Sequence, residues 1–262
     1  MKYQESSLEQ AVLDWLQELG YEVLFGPDIS PEPKSPTSGT IPAPLERQTY
    51  DDVVLTGRLK RAIDKLNPDI PEESREEALR RLINIPNRSP KLETNNEIFH
   101  DMLVNGVDIE YRTEEGRVQG DKVWLVDKEN PENNNFLAVN QFRVIEGKNN
   151  RVPDIVIFVN GLPLAIFELK NPTKEKTTIK HAFRQFQTYK NDIPSLFAFN
   201  ELLVISDGIQ ARSGTITSPW EWFLRWRSVD GKVIAPRAHN ETKVFVNGAF
   251  KKDRFLDLVT NF

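Results

Sequence analysis

Residues Pro153–Lys170 read PDIVIFVNGLPLAIFELK, two apolar runs joined at Asn160-Gly161, with one acid at the entrance and an acid and an amine at the exit. Asn-Gly between two such runs is a strong short-range signal for a β-hairpin. Strands apolar on both faces belong inside a covered sheet, so this hairpin is expected at its centre. Asp154, Glu168 and Lys170 are the only charged residues in the stretch. A buried charge is costly unless it is paired or bound to a metal. Two carboxylates and a lysine arriving together suit a hard divalent cation facing a phosphodiester. A structural salt bridge inside the hairpin is the other reading, and spacing alone leaves it open.

Register makes a sharper demand. Glu168 and Lys170 are two apart and leave a strand on the same face. Strict closure of the hairpin through Asn160-Gly161 would pair Asp154 with Phe167 and put Glu168 on the opposite face. A three-residue loop with a bulge, Asn160–Leu162, would instead set Asp154 against Glu168. The catalytic reading therefore predicts an odd-length turn or a bulge.

Working outward, Thr177–Asn191 has an amphipathic helical pattern, with Ile179, Ala182, Phe183 and Phe186 on its apolar stripe. Gln185 and Tyr189 lie one turn apart on it. Lys174, Lys176, Lys180, Arg184 and Lys190 stand around them against a single Glu175, and this local basic character suits a DNA backbone. Toward the N-terminus, Leu8, Val12, Trp15, Leu16 and Leu19 mark a first helix that Gly20 ends, followed by a short strand near Tyr21–Phe25. Residues 26–49 read as a Pro-rich surface loop. Asp52–Lys65, Glu72–Ile83 and Asn95–Val104 read as helices, Val107–Asp127 as a strand pair and Phe136–Ile145 as one strand. Gly147–Arg151 reads as a turn, Leu202–Ser206 as a buried strand stopped by Asp207-Gly208, and Asp253–Thr260 as a terminal helix. Strands interleaved with helices predict an α/β (α+β) fold with a mixed sheet.

Composition narrows the chemistry. With no cysteine, thiolate metal sites are excluded, and with three separated histidines a multi-histidine zinc site is not expected, so a metal should sit on carboxylate oxygens, as Mg²⁺ or Mn²⁺ does. No apolar run is long enough for a membrane span, and no signal peptide opens the chain, which agrees with a cytoplasmic setting. Net charge is −5 with a pI near 5.5. Duplex binders are usually basic, so DNA is expected to be delivered by something else. No GxxxxGK[ST] loop is present, and LVTNF at the end reads as part of a continuing element, so an ATP-driven motor is expected elsewhere.

PD…ExK followed by Q-x-x-x-Y resembles the PD-(D/E)xK nuclease superfamily. More narrowly, the phrases ERQTYDDVVL, LNPDIPEESREEAL, FLAVNQFRV, AFRQFQTYK and LLVISDGIQARSGT resemble the N-terminal nuclease domain of the R (restriction, motor) subunit of type I restriction-modification enzymes. The resemblance runs from about Leu8 to Phe262. It implies a restriction-endonuclease-like mixed β-sheet core flanked by helices over 1–262, with the Pro-rich loop 26–49 and a helical insertion at about 52–104. It further implies Mg²⁺-dependent cleavage of double-stranded DNA, with ATP used only in separate motor domains and with methyltransferase and specificity subunits as partners. Carried over by motif, Asp154, Glu168 and Lys170 are catalytic, Asp154, Glu168 and the Leu169 carbonyl hold the metal, and Gln185 and Tyr189 support them. An acid on the first helix completes such sites, and Glu9 fits better than Glu5. Lys174, Lys180 and Arg184 are candidates for DNA contact. Arg151 departs mildly from the pattern, which places an arginine directly before Pro153. A non-catalytic docking module of the same complex and a stand-alone repair nuclease are the alternatives.

Overall fold

The computed structural model describes residues 5–32, 46–113, 115–170, 179–236 and 240–261. Helix α1 (Glu5–Glu18) buries Val12, Leu13 and Leu16, and Gly20, at φ +85°, turns the chain into β1 (Glu22–Phe25). Three helices follow, α2 (Thr56–Leu66), α3 (Glu72–Ile83) and α4 (Leu92–Asn105), and then a hairpin of β2 (Val107–Arg112) and β3 (Val118–Val123). The remaining strands are β4 (Phe136–Asn140), β5 (Val144–Glu146), β6 (Asn149–Arg151), β7 (Ile155–Val159) and β8 (Leu162–Leu169). Helices α5 (Ile179–Asp192) and α6 (Pro194–Phe197) lead to β9 (Leu202–Ser206) and β10 (Ala211–Gly214), and α7 (Glu241–Ala249) and α8 (Lys252–Asn261) complete the order.

One six-stranded sheet, β1-β4-β7-β8-β9-β10, carries the core. Strands β1 and β4 are parallel, as are β8 and β9, and the other neighbours are antiparallel. This is the mixed α/β (α+β) arrangement that the interleaved pattern predicts, with the Pro153–Lys170 hairpin as its two central strands. All of β7 and β8 is buried, because helices cover both faces. Phe167 packs on Phe250 at the α7–α8 corner, so the neighbouring Glu168 projects to the other face, which α5 covers.

Several boundaries differ from the sequence expectation. The helix expected from Asp52 starts at Thr56, because Leu55 N–H donates to the Gly161 carbonyl (2.9 Å) and holds 53–55 against the hairpin turn. The strand expected over 136–145 is cut at Gln141, whose φ of 53° reverses the chain, and Val144–Glu146 pairs instead with Asn149–Arg151. Gly147–Arg151 is therefore a turn plus a strand. Helix α7, strand β10 and the single turn α6 are additions to the expected set. Of the Pro-rich stretch 26–49, residues 33–45 lie outside the described residues. No helix among the described residues is long and apolar enough to cross a membrane.

The helical region is tied to the sheet by a titratable pair: His100 Nδ1 on α4 lies 3.0 Å from Glu201 Oε2, immediately before β9. The Glu201 contact raises the His100 pKa, and burial raises that of Glu201. Both folded-state values lie above the ordinary ones, so stability falls as pH rises through them: His100 loses a favourable contact and Glu201 acquires a buried charge. His100 contributes fully below its ordinary 6.5, and that contribution is lost as pH rises through the raised value. Urea unfolding between about pH 6 and 8 should show stability falling in the wild type and a flatter profile in His100→Gln. Parallel profiles would remove the pair from this role.

Candidate active site

Asn160 and Gly161 both have positive φ, 52° and 86°, and Val159 faces Leu162, so the hairpin closes through a plain two-residue turn. The expected three-residue loop is not there. The register shift lies deeper: Phe158 pairs with Pro163 but Ile157 pairs with Ala165, leaving Leu164 as the extra residue of a bulge in β8. From that point Ile155 opposes Phe167, which brings Asp154 level with Glu168. Pro163 is the local cause, since a proline donates no ladder hydrogen bond and inside a sheet is confined to edges, first residues and bulges. It was the legible signal for where the bulge falls.

The bulge assembles the exit of the hairpin. Lys170 Nζ donates to Glu168 Oε1 at 2.6 Å, with the two side chains 11% and 1% exposed. Asp154 Oδ2 accepts the Leu169 N–H at 2.6 Å. In an extended strand a residue's N–H and C=O leave on the same side, so the Leu169 carbonyl is directed toward Asp154 as well. Lys170 N–H, one residue on, donates to Ser206 O on β9, which fixes the strand end from the other side (2.8 Å). The carboxylates of Asp154 and Glu168 and the Lys170 ammonium thus share one corner of the sheet.

Helix α5 roofs this corner. Gln185 Nε2 donates to Tyr189 Oη at 2.5 Å, and Tyr189 Oη makes a long contact of 3.5 Å with the Val152 carbonyl, two residues before Asp154. Burial, reinforced by the Glu168 and Asp154 charges, pushes the Tyr189 hydroxyl well above its ordinary value. It is a neutral hydroxyl throughout the physiological range. Arg151 Nε donates to Asp192 Oδ2 at 2.7 Å and clamps the end of α5 to the strand that leads into Asp154.

Glu9 sits at the same end of the sheet. Its oxygens accept from the Asn140 amide at 2.7 Å and the Gln141 amide at 2.9 Å. Gln141 in turn donates its backbone N–H to the Asp154 carbonyl at 3.0 Å. Among the described residues no group of three His, Cys, Asp or Glu stands close enough to hold one metal, and Glu9 connects to Asp154 through Gln141. Asn140 and Gln141 are site residues that the sequence reading does not single out. Gln141 has a strained left-handed backbone, and a Cβ on Gly26 would meet the Gln141 carbonyl at 2.4 Å, so this corner depends on Gly26 being a glycine. Lys180 and Arg184 lie exposed on α5, whereas Lys174 and Lys176 fall outside the described residues. Lys190 is turned away: its Nζ donates to the Ile216 carbonyl (2.7 Å), and burial lowers its pKa.

Residues 2–222 match the family model described as type I restriction enzyme R protein N terminus. The type I restriction enzyme HindI endonuclease subunit of Haemophilus influenzae is 37% identical over 98% of this chain and 24% of its own length. The putative MjaIXP endonuclease subunit of Methanocaldococcus jannaschii is 34% identical over 97% of this chain and 25% of its own. The EcoprrI endonuclease subunit of Escherichia coli is 30% identical over 63% of this chain and 50% of its own. The chain spans about a quarter of the length of the first two relatives.

Proposed function

Because the chain belongs to the family of type I restriction enzyme R protein N termini, we propose that it is the nuclease part of such an enzyme and hydrolyses phosphodiesters of double-stranded DNA with a divalent cation. The observation that carries the reading is the buried Lys170–Glu168 pair brought level with Asp154 by the bulge. A purely structural ion pair would need neither the second carboxylate nor the register shift.

Asp154, Glu168 and the Leu169 carbonyl are the proposed ligands of Mg²⁺, with Mn²⁺ as a substitute. They form an all-oxygen set with two carboxylates, which suits an ion that keeps several waters and shares its shell with substrate phosphate. When bound, the ion lowers the pKa of a coordinated water and offsets charge on the phosphate. The chain's own residues do the rest. The Leu169 N–H fixes the rotamer of Asp154 so that its other oxygen is presented to the corner. Lys170 holds its ammonium where an attacking water can be oriented and where negative charge on the phosphorane can be balanced. Gln185 holds the Tyr189 hydroxyl from within α5, and that hydroxyl reaches the strand leading into Asp154 and supplies a neutral donor beside the corner.

A chain of net charge −5 gains little non-specific affinity from counterion release. DNA delivery by an ATP-driven translocase in the same subunit, acting with methyltransferase and specificity subunits, accounts for that balance. Titration calorimetry with Mg²⁺ tests the metal. Binding in the wild type, and its loss together with duplex cleavage in Asp154→Ala, is the expected result. If neither protein binds the ion, the corner is a docking element rather than a catalytic one.

A further inference from the structure

One cation close to this site has no carboxylate within 4.0 Å among the described residues. Arg212, on β10, is half-buried, forms no salt bridge within 4.0 Å among the described residues, and its Nε is buried without a hydrogen-bond partner. Its NH1 donates only to the Phe223 carbonyl, at 3.3 Å. A charge taken out of water in this way is unfavourable until an anion meets it.

The sheet register places that charge. Glu168 pairs with Ile205, and Ile205 pairs with Arg212, so Glu168 and Arg212 lie in one row across three strands and on the same face. At about 4.8 Å between strands the row sets their backbones about 10 Å apart, about three base-pair rises of B-DNA. The Arg212 guanidinium lies 4.9 Å from the centre of the Trp220 ring, and Lys180 Nζ, from the first turn of α5, lies 5.3 Å from the same ring. Trp220 packs edge-on against Phe183, and Phe183 against the buried Phe223, so the platform is rooted in the core. The nearby acids are engaged or outward: Glu241 faces Arg225, Asp207 accepts backbone N–H groups of its own turn, and Glu221 is exposed.

We infer that Arg212 and Lys180, held over Trp220, form a phosphate-binding step that seats the DNA backbone beside the scissile position. This rests on the nuclease reading above and adds to it a contact surface on the β9–β10 side of the corner. Cation–π contact fixes both charges before DNA arrives, so little side-chain entropy is lost on binding. Arginine suits the task because its planar fork matches two phosphate oxygens.

The test is duplex affinity of the chain in EDTA, by anisotropy of a short labelled DNA over a range of salt. Wild type should bind at low salt, and Lys180→Ala and Arg212→Gln should each weaken binding several-fold and lower the salt slope by about 0.9. Arg212→Lys should restore most of the slope, which a packing role for the arginine would not do, and matched thermal unfolding checks that each variant is folded. Slopes equal to wild type in Lys180→Ala and Arg212→Gln overturn the assignment, as does equal loss in Arg212→Gln and Arg212→Lys with the slope unchanged. If the wild type binds and cuts in Mg²⁺ while the variants match it, only this surface fails. If the wild type binds neither DNA at low salt nor Mg²⁺, the nuclease reading fails with it.

Discussion

Lys170→Ala is expected to abolish DNA cleavage, lowering the rate on the order of 10³-fold, while leaving Mg²⁺ binding largely in place. The ammonium stands 2.6 Å from Glu168 and is 11% exposed, so it is fixed in position and poorly screened by solvent. A charge in such a place contributes more at a developing phosphorane than it would in water. Its removal also has a stability consequence that must be kept apart from the chemistry. Taking away one member of a buried ion pair costs about 3–5 kcal/mol, because the remaining charge loses its partner. Both effects come from one substitution, and Lys170→Arg separates them. It keeps a cation beside Glu168, and so most of the stability, yet moves the charge onto a planar fork of different reach. Loss of cutting with unfolding unchanged in Lys170→Arg assigns the loss to chemistry. Retained cutting in a folded Lys170→Ala protein would end the catalytic assignment.

The second large effect is structural. Gly161→Ala should destabilise the fold by about 2–4 kcal/mol, or a fall in Tm of roughly 5–15 °C. Gly161 has φ +86°, which an L residue adopts only under strain, and a Cβ there would meet the Leu55 carbonyl at 2.5 Å. That neighbour is backbone and cannot swing aside. The Gly161 carbonyl also accepts the Leu55 N–H, so moving the turn pulls on the start of α2. Asn160 beside it is buried, its side chain bonded to Leu125 O, Asn134 Oδ1 and Asn135 N. The turn is therefore a clamp between the hairpin and the helical region. Denaturant unfolding of Gly161→Ala within about 0.5 kcal/mol of wild type would refute this.

How much of this was readable beforehand varies from residue to residue. Asn160-Gly161 announced the two-residue turn correctly, since its demand for positive φ is local. The bulge at Leu164 was required by the chemistry but assigned to the wrong place, although Pro163 marked it. Helix α5, with Gln185 and Tyr189 one turn apart, followed from its apolar spacing. Helix α7 is not legible in the sequence: Val244, Phe245 and Val246 are a continuous buried run, and periodicity alone does not identify a helix buried in this way.

The sequence by itself determined which residues carry charge into the apolar hairpin, Asp154, Glu168 and Lys170, that Glu168 and Lys170 share a face, and that Gln185 and Tyr189 lie one turn apart on the next helix. Those are properties of neighbours in the chain, set by strand and helix periods, whereas the bulge that brings Asp154 level with Glu168 belongs to the tertiary structure. Only the tertiary structure decided that Glu9 is held by Asn140 and Gln141 at the same end of the sheet as the acid pair. It alone set Arg212 in the row of Glu168. Sheet order and register join residues tens of positions apart, and they depend on how whole faces pack rather than on any local pattern.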